Sequence, residues 1–202
     1  MTHTTQYSKK ELYEIVKRQS AAYDKSVDVQ SNDPDQTWVY HISGVIKNAL
    51  MVAKRYNDAG VACDAEVVEI AALWHDYACL VDLQQYNENH HITSGEMAEP
   101  FLRKAGYGTE FIEKVKRCIF AHRGSYNVAK NTPEEVCLAD GDALTHIDNV
   151  VEIIMWQGQR GWTIKKGNDF VKSKIKKSFA KLSPQSQDYI RDKYDAIMRI
   201  MY

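Results

Sequence analysis

Apolar residues in this chain return at intervals of three and four, and no segment alternates polar and apolar residues over a strand's length. The stripe Leu12, Ile15 and Val16 opens the pattern. Ile42, Val45, Ile46, Ala49 and Ala53 continue it, followed by Val67, Val68, Ala71, Ala72 and Trp74. Phe111, Ile112, Val115, Cys118 and Ile119 form a later stripe. Residues at this spacing share one face of a helix, so the chain reads as amphipathic helices packed on their apolar sides. Ten Gly and four Pro in 202 residues are too few turn formers for an all-β fold. The expected class is all-α.

Local start signals divide the pattern into helices. Ser8-Lys9-Lys10-Glu11 is a capping box, in which the serine oxygen takes an orphan N–H and the glutamate reaches back. Asp64 and Thr109 read as further N-caps. Thr132-Pro133-Glu134-Glu135 supplies a cap, a proline at the first helical position and an acidic first turn. These signals predict helices over 8–22, from Trp38 to Asp58, from Asp64 onward, over 94–104, from Thr109, and from Thr132 past Leu144. Two more are expected near 169–182 and 184–201, the last opened by Ser183-Pro184. Residues 24–37, which contain Asp33-Pro34-Asp35, read as a loop, as do Leu80–Asn89, Gly124–Asn131 and 160–168.

Lys plus Arg total 26 and Asp plus Glu 27, a formal net charge of −1, so the surface as a whole is not built for nucleic acid or an anionic membrane. No run reaches the roughly 18 apolar residues of a membrane span, and Met1–Gln6 lacks the apolar region of a signal peptide. Cys63, Cys79, Cys118 and Cys137 form no CxxC pair and read as free thiols in a reducing, cytoplasmic setting.

The informative residues are polar ones on apolar faces. His75 follows Val68 by seven, Ala71 by four and Ala72 by three, so it points inward. His122 stands likewise to Val115 and Cys118, and His41 lies one turn before Val45. Asp142 follows Leu138 by four, and Asp140 follows Val136 by four. Buried carboxylates and imidazoles are costly unless paired or bound to a metal. Taken singly, each histidine reads most simply as a hydrogen-bonded core residue. Taken together, His and Asp from four helices can converge on one centre. Imidazole and carboxylate suit Mn, Fe, Co, Ni or Zn, and no thiolate joins the set.

At His41, the doublet His75-Asp76 within Ala71-Ala72-Leu73-Trp74-His75-Asp76, and Ala139-Asp140-Gly141-Asp142-Ala143-Leu144, the chain resembles the HD-domain superfamily of metal-dependent phosphohydrolases. The doublet follows His41 by 34 residues, and Asp142 follows Asp76 by 66. The resemblance implies an HD-domain helical bundle, a single domain over 1–202 with its core at about 38–148 and flanking helices at 8–22 and 149–202. It assigns the last ligand to Asp142, which precedes a residue and then leucine, with Asp140 as the fallback. Family members with two metals add two histidines between the doublet and the last aspartate. His122 takes one place; His91, three before Ser94, is favoured over His90 for the other. The implied metal set is His41, His75, Asp76, His91, His122 and Asp142, holding one or two divalent ions (Mn, Fe, Co, Ni, Zn or Mg). Two departures bear on substrate: Gly44 stands where many members carry arginine, and Tyr77-Ala78-Cys79 replaces a glycine and a basic residue after the doublet.

Two metals about 3.5–4 Å apart lower the pKa of a shared water and stabilise charge on phosphoryl oxygens. Asp76 is the expected bridge. Arg123 is the candidate phosphate grip, because guanidinium meets phosphate in a bidentate manner. His146, one turn after Asp142, is a candidate support for that ligand. Tyr77 and Tyr126 are candidate pocket residues. Seven lysines between Lys165 and Lys181 lie opposite the stripe Val171, Ile175, Phe179 and Leu182, a solvated amphipathic helix or else a patch that attracts a nucleotide. The expected function is hydrolysis of a small phosphate ester or nucleotide. A di-iron oxygenase on the same ligand set, or a non-catalytic nucleotide-binding regulator, are the alternatives.

Overall fold

The computed structural model describes residues 6–27, 35–124 and 128–201. Among them every regular element is helical: α1 (Lys9–Val27), a π-helical turn (Trp38–Ile42), α2 (Ser43–Asp58), α3 (Ala65–Trp74), α4 (Tyr77–Val81), α5 (Leu83–Tyr86), α6 (His90–Lys104), α7 (Thr109–Ala121), α8 (Pro133–Asp148), α9 (Val150–Gln159), α10 (Ile164–Lys181) and α11 (Pro184–Ile200). The all-α expectation holds. Asp33-Pro34 and Tyr126 lie outside the described residues.

The caps act as their sequences require. Ser8 N–H donates to Glu11 Oε2 at 2.7 Å while Glu11 N–H reaches Ser8 Oγ at 3.3 Å. Asp64 Oδ1 accepts from the N–H groups of Glu66 and Val67, and Thr132 Oγ1 accepts from that of Glu135. Thr109 is the exception: Gly108 occupies the cap position and Thr109 is already helical.

The core runs through α2, α3, α7 and α8, with α6 against α7, α10 against α8 and α9, and α1 against α4. α2 and α8 approach most closely, because small residues face each other. A Cβ placed on Gly141 would sit 2.7 Å from both the Cβ and the backbone N of Ala49. Beside this contact Asn48 Nδ2 donates to Thr145 Oγ1 (3.0 Å) and to Asp148 Oδ2 (3.1 Å), satisfying polar groups that the approach buries. The same approach explains Gly44: a Cβ there would meet Thr145 Cγ2 at 2.8 Å, so an arginine has no room.

Several boundaries differ from the sequence reading. α1 continues to Val27 because Asp24, near its end, is buried and takes hydrogen bonds from the N–H and Oγ1 of Thr37. The expected 80–89 loop is largely two short helices, the second capped by Asp82 on Gln85 N–H (3.0 Å). α6 starts at His90 rather than Ser94. α10 starts at Ile164, capped by Thr163 on Lys166 N–H; of the two glycines read as a connection, Gly161 makes the turn with φ +67° and Gly167 is helical.

Candidate metal centre

The doublet sits where α3 ends. His75 is its C-cap residue and Asp76 precedes α4, so the carboxylate leaves the helix and turns beside the imidazole. His41 comes from the π turn before α2, a local widening that re-aims a side chain. His122 is the C-cap of α7, His90 opens α6, and Asp142 lies in the middle of α8.

Three of these histidines are held in the same way. His75 Nδ1 lies 2.8 Å from the carbonyl of Ala72, His122 Nδ1 2.5 Å from that of Ile119, and His90 Nδ1 2.8 Å from that of Asn87. A carbonyl only accepts, so each Nδ1 carries the proton and each Nε2 presents a lone pair. All three lone pairs face Asp76. Its Oδ2 lies 3.1 Å from His41 Nε2 and 3.4 Å from His75 Nε2, and its Oδ1 lies 3.4 Å from His90 Nε2 and 3.7 Å from His122 Nε2. His75 and His41 bring their Nε2 atoms to 3.2 Å, and Asp142 Oδ1 stands 3.9 Å from His41 Nε2. Lone pairs aimed at one another across such gaps are the donor set of a divalent cation. The ligand atoms of His41, His75 and Asp142, and those of His75, Asp76 and His122, each lie within 4.8 Å of one another. Those of Asp76, Cys79 and His90 do so too.

The electrostatics fit this use. Burial drives His75 down to about 4, so it is neutral at pH 7 and its Nε2 lone pair carries no proton. Burial also lowers His90. Burial alone would raise Asp76, but His75, His122 and His41 outweigh it and hold the carboxyl well below its usual range. For Asp142 burial is likewise outweighed, by Lys181, His146 and His41. Burial raises the Cys79 thiol, which no part of the sequence reading had placed beside Asp76.

His146 stacks on His41 with ring centroids 5.6 Å apart, its Nε2 3.5 Å from Asp142 Oδ1 and its Nδ1 3.1 Å from Ser178 Oγ. It therefore braces both His41 and Asp142. Asp140 points elsewhere: Ser183 N–H and Oγ both donate to it, fastening the start of α11 to α8. His91 is buried but is not brought to the cluster. It packs on Phe120, receives Arg123 Nη1 at 3.4 Å on Nδ1, and borders a separate surface depression of about 300 Å³ with Glu96 and Lys116. His90, which the sequence reading set second to His91, is the one whose Nε2 faces Asp76. Arg123 lies alongside, its guanidinium bound to the backbone carbonyl and, at 3.2 Å, to the carboxylate of Glu88. It thereby ties the α5–α6 segment to the end of α7. Tyr77 packs on Trp74, its ring 4.6 Å away.

The lysine-rich helix is not solvated throughout. Lys181 Nζ contacts Asp142 Oδ2 at 2.5 Å with its side chain only 10% exposed, and Lys174 is half-buried on the same side. The i, i+4, i+7 spacing of Lys174, Ser178 and Lys181 placed them on one face beside the apolar stripe; this was the signal available in the sequence.

An all-helical scaffold that turns histidines and aspartates from several helices onto one centre defines the class: a metal-binding helical bundle. A model of the HD domain matches residues 38–147, and the chain belongs to the HD-domain family. In three dimensions it is similar to the crystal structure of a predicted HD superfamily hydrolase from an uncultured Thermotogales bacterium. The TM-score is 0.60 at 20% sequence identity, covering 95% of this chain and 87% of the other. No curated protein matches the chain. Among the described residues no helix is long and apolar enough to cross a membrane.

Proposed function

We propose that this protein is a metal-dependent phosphohydrolase of a small phosphate ester or nucleotide. The observation that carries the reading is the position of Asp76: one carboxylate oxygen faces His41 and His75, the other His90 and His122. A carboxylate so placed could serve a cation on each of its oxygens. In this reading His41, His75 and Asp142 would hold the first with Asp76, and His90 and His122 would hold a second. The imidazole-rich donor set favours Mn, Fe, Co, Ni or Zn over Mg. When bound, divalent cations acidify a water and withdraw charge from the phosphoryl oxygens. The protein's part is to keep His75 and His90 neutral, to fix their Nε2 atoms through the Nδ1–carbonyl bonds, and to hold His41 and Asp142 against His146.

The test is to prepare metal-free protein, add Mn²⁺ under anaerobic conditions, and assay a panel of phosphate monoesters, diesters and nucleotides. The expected result is phosphate release that appears with Mn²⁺ and vanishes in His75→Gln, while that variant still unfolds cooperatively. A wild-type protein that neither binds Mn²⁺ nor releases phosphate from any member of the panel overturns the reading. Oxygen consumption by the iron-loaded protein, without phosphate release, replaces it with oxygenase chemistry.

A further inference from the structure

α10 carries a cation that nothing yet described employs. Lys174 projects from α10 on the same face as Ser178 and Lys181. It is half-buried, and Nζ makes no hydrogen bond or ion pair with any described residue. Its register places it two turns before Lys181 and one turn before Ser178, the two residues of α10 that meet Asp142 and His146; burial lowers its pKa, and Asp142 and Asp76 act against that lowering. A half-buried ammonium with no partner among the described residues is available to an anion.

Its neighbour is fixed with care. Lys181 sits 2.5 Å from Asp142 Oδ2, on the far side of that carboxylate from the Oδ1 that faces His41. Its stem lies on Gly124, where a Cβ would come within 2.7 Å of Lys181 Cδ. Ser178, between the two lysines, is anchored on His146. The face of α10 that carries Lys174 is thus the face that meets the centre through Ser178 and Lys181. The Arg123 guanidinium is meanwhile bound to Glu88.

We propose that Lys174 and Lys181 form the anion subsite of this centre and select a terminal, dianionic phosphate monoester over a diester. The inference rests on the phosphohydrolase reading and deepens it. Two ammonium groups beside divalent cations favour the ligand with the larger charge on its terminal oxygens, and lysine, a point charge, imposes no bidentate geometry on it. Because Lys181 also contacts Asp142, Lys174 is the cleaner reporter.

The experiment measures inorganic phosphate binding to Mn²⁺-loaded protein by calorimetry. It compares wild type, Lys174→Met, which fills the same volume without charge, and Lys174→Arg, which keeps the charge. Bound Mn²⁺ and melting temperature are recorded for each. Lys174→Met is expected to weaken phosphate at least about tenfold, the scale of one charge-assisted contact, with metal content unchanged, and Lys174→Arg to restore most of the affinity. In turnover, the preference for p-nitrophenyl phosphate over bis(p-nitrophenyl) phosphate shrinks in Lys174→Met. Equal phosphate affinity in wild type and Lys174→Met overturns the subsite while leaving the hydrolase reading intact if wild type releases phosphate. A wild type that binds Mn²⁺ but neither binds phosphate nor hydrolyses either ester overturns both.

Discussion

Gly141→Ala adds one methyl group at the point where α8 presses on α2, and the structure fixes both the size and the sign of its effect. The new Cβ would lie 2.7 Å from the Cβ and N of Ala49 and 2.8 Å from its Cα. Carbon atoms rest at about 3.5–4.0 Å, so the overlap is about 1 Å. Two of the three atoms are backbone, so no rotamer change relieves it and the helices must separate. Overpacking of this kind costs about 1–3 kcal/mol. Alanine regains about 1 kcal/mol of helix propensity relative to glycine. The expected net loss is on the order of 1 kcal/mol, a fall in melting temperature of about 2–4 °C for a domain of this size. Gly158→Ala is the internal control: it is helical and exposed, with nothing within 4 Å of its Cβ position, so the same substitution there should stabilise by up to about 1 kcal/mol. Chemical denaturation of the metal-free proteins measures both. Because α8 carries Asp142 while His41 directly precedes α2, Gly141→Ala should also weaken Mn²⁺ binding, and Gly158→Ala should not. A Gly141→Ala protein stabilised to the same degree as Gly158→Ala would refute the close approach.

Adjacent histidines should separate cleanly: His90→Gln lowers the metal content of the loaded protein, whereas His91→Gln leaves it unchanged, read by elemental analysis, and the reverse result would return the ligand role to His91. The metal-free protein should lose stability in mild acid. His75 is held at about 4 by burial, and His91 at about 4 by burial and Arg123, against about 6.5 for an unfolded histidine. Between those values the unfolded chain takes up protons that the folded one refuses. This contribution is therefore complete above about pH 6.5 and falls away towards pH 4, by about 1.4 kcal/mol per pH unit for each group. Asp76 and Asp142, held below the carboxylate range, add their loss only at still lower pH. Denaturation midpoints that stay flat from pH 7 to 5 would contradict the burial of both histidines.

The sequence by itself determined the fold class, most of the helices and most of the inward polar set. It did so because both signals are local. Apolar spacing of three and four sets the helix, and a side chain placed in that register is inward whatever helix it meets. The buried faces of His75, His122 and Asp142 needed no more than that. Tertiary structure decided what depends on where elements begin and on what arrives from elsewhere. His90 and His91 are adjacent, and residues about 100° apart on a helix fit one site equally well until the first turn of α6 is fixed. Here it starts at His90, whose Nδ1 bonds to Asn87, while His91 turns to Phe120. Asp140 and Asp142 are both buried on one helix; only the arrival of Ser183 from α11 and Lys181 from α10 gives them different work. Cys79 had no partner visible in its own segment. The lysines of α10 read as solvent-facing because charge is most often solvated. Which of them face solvent depends on the side of α10 that packs on α8 and α9, a contact between residues far apart in the chain.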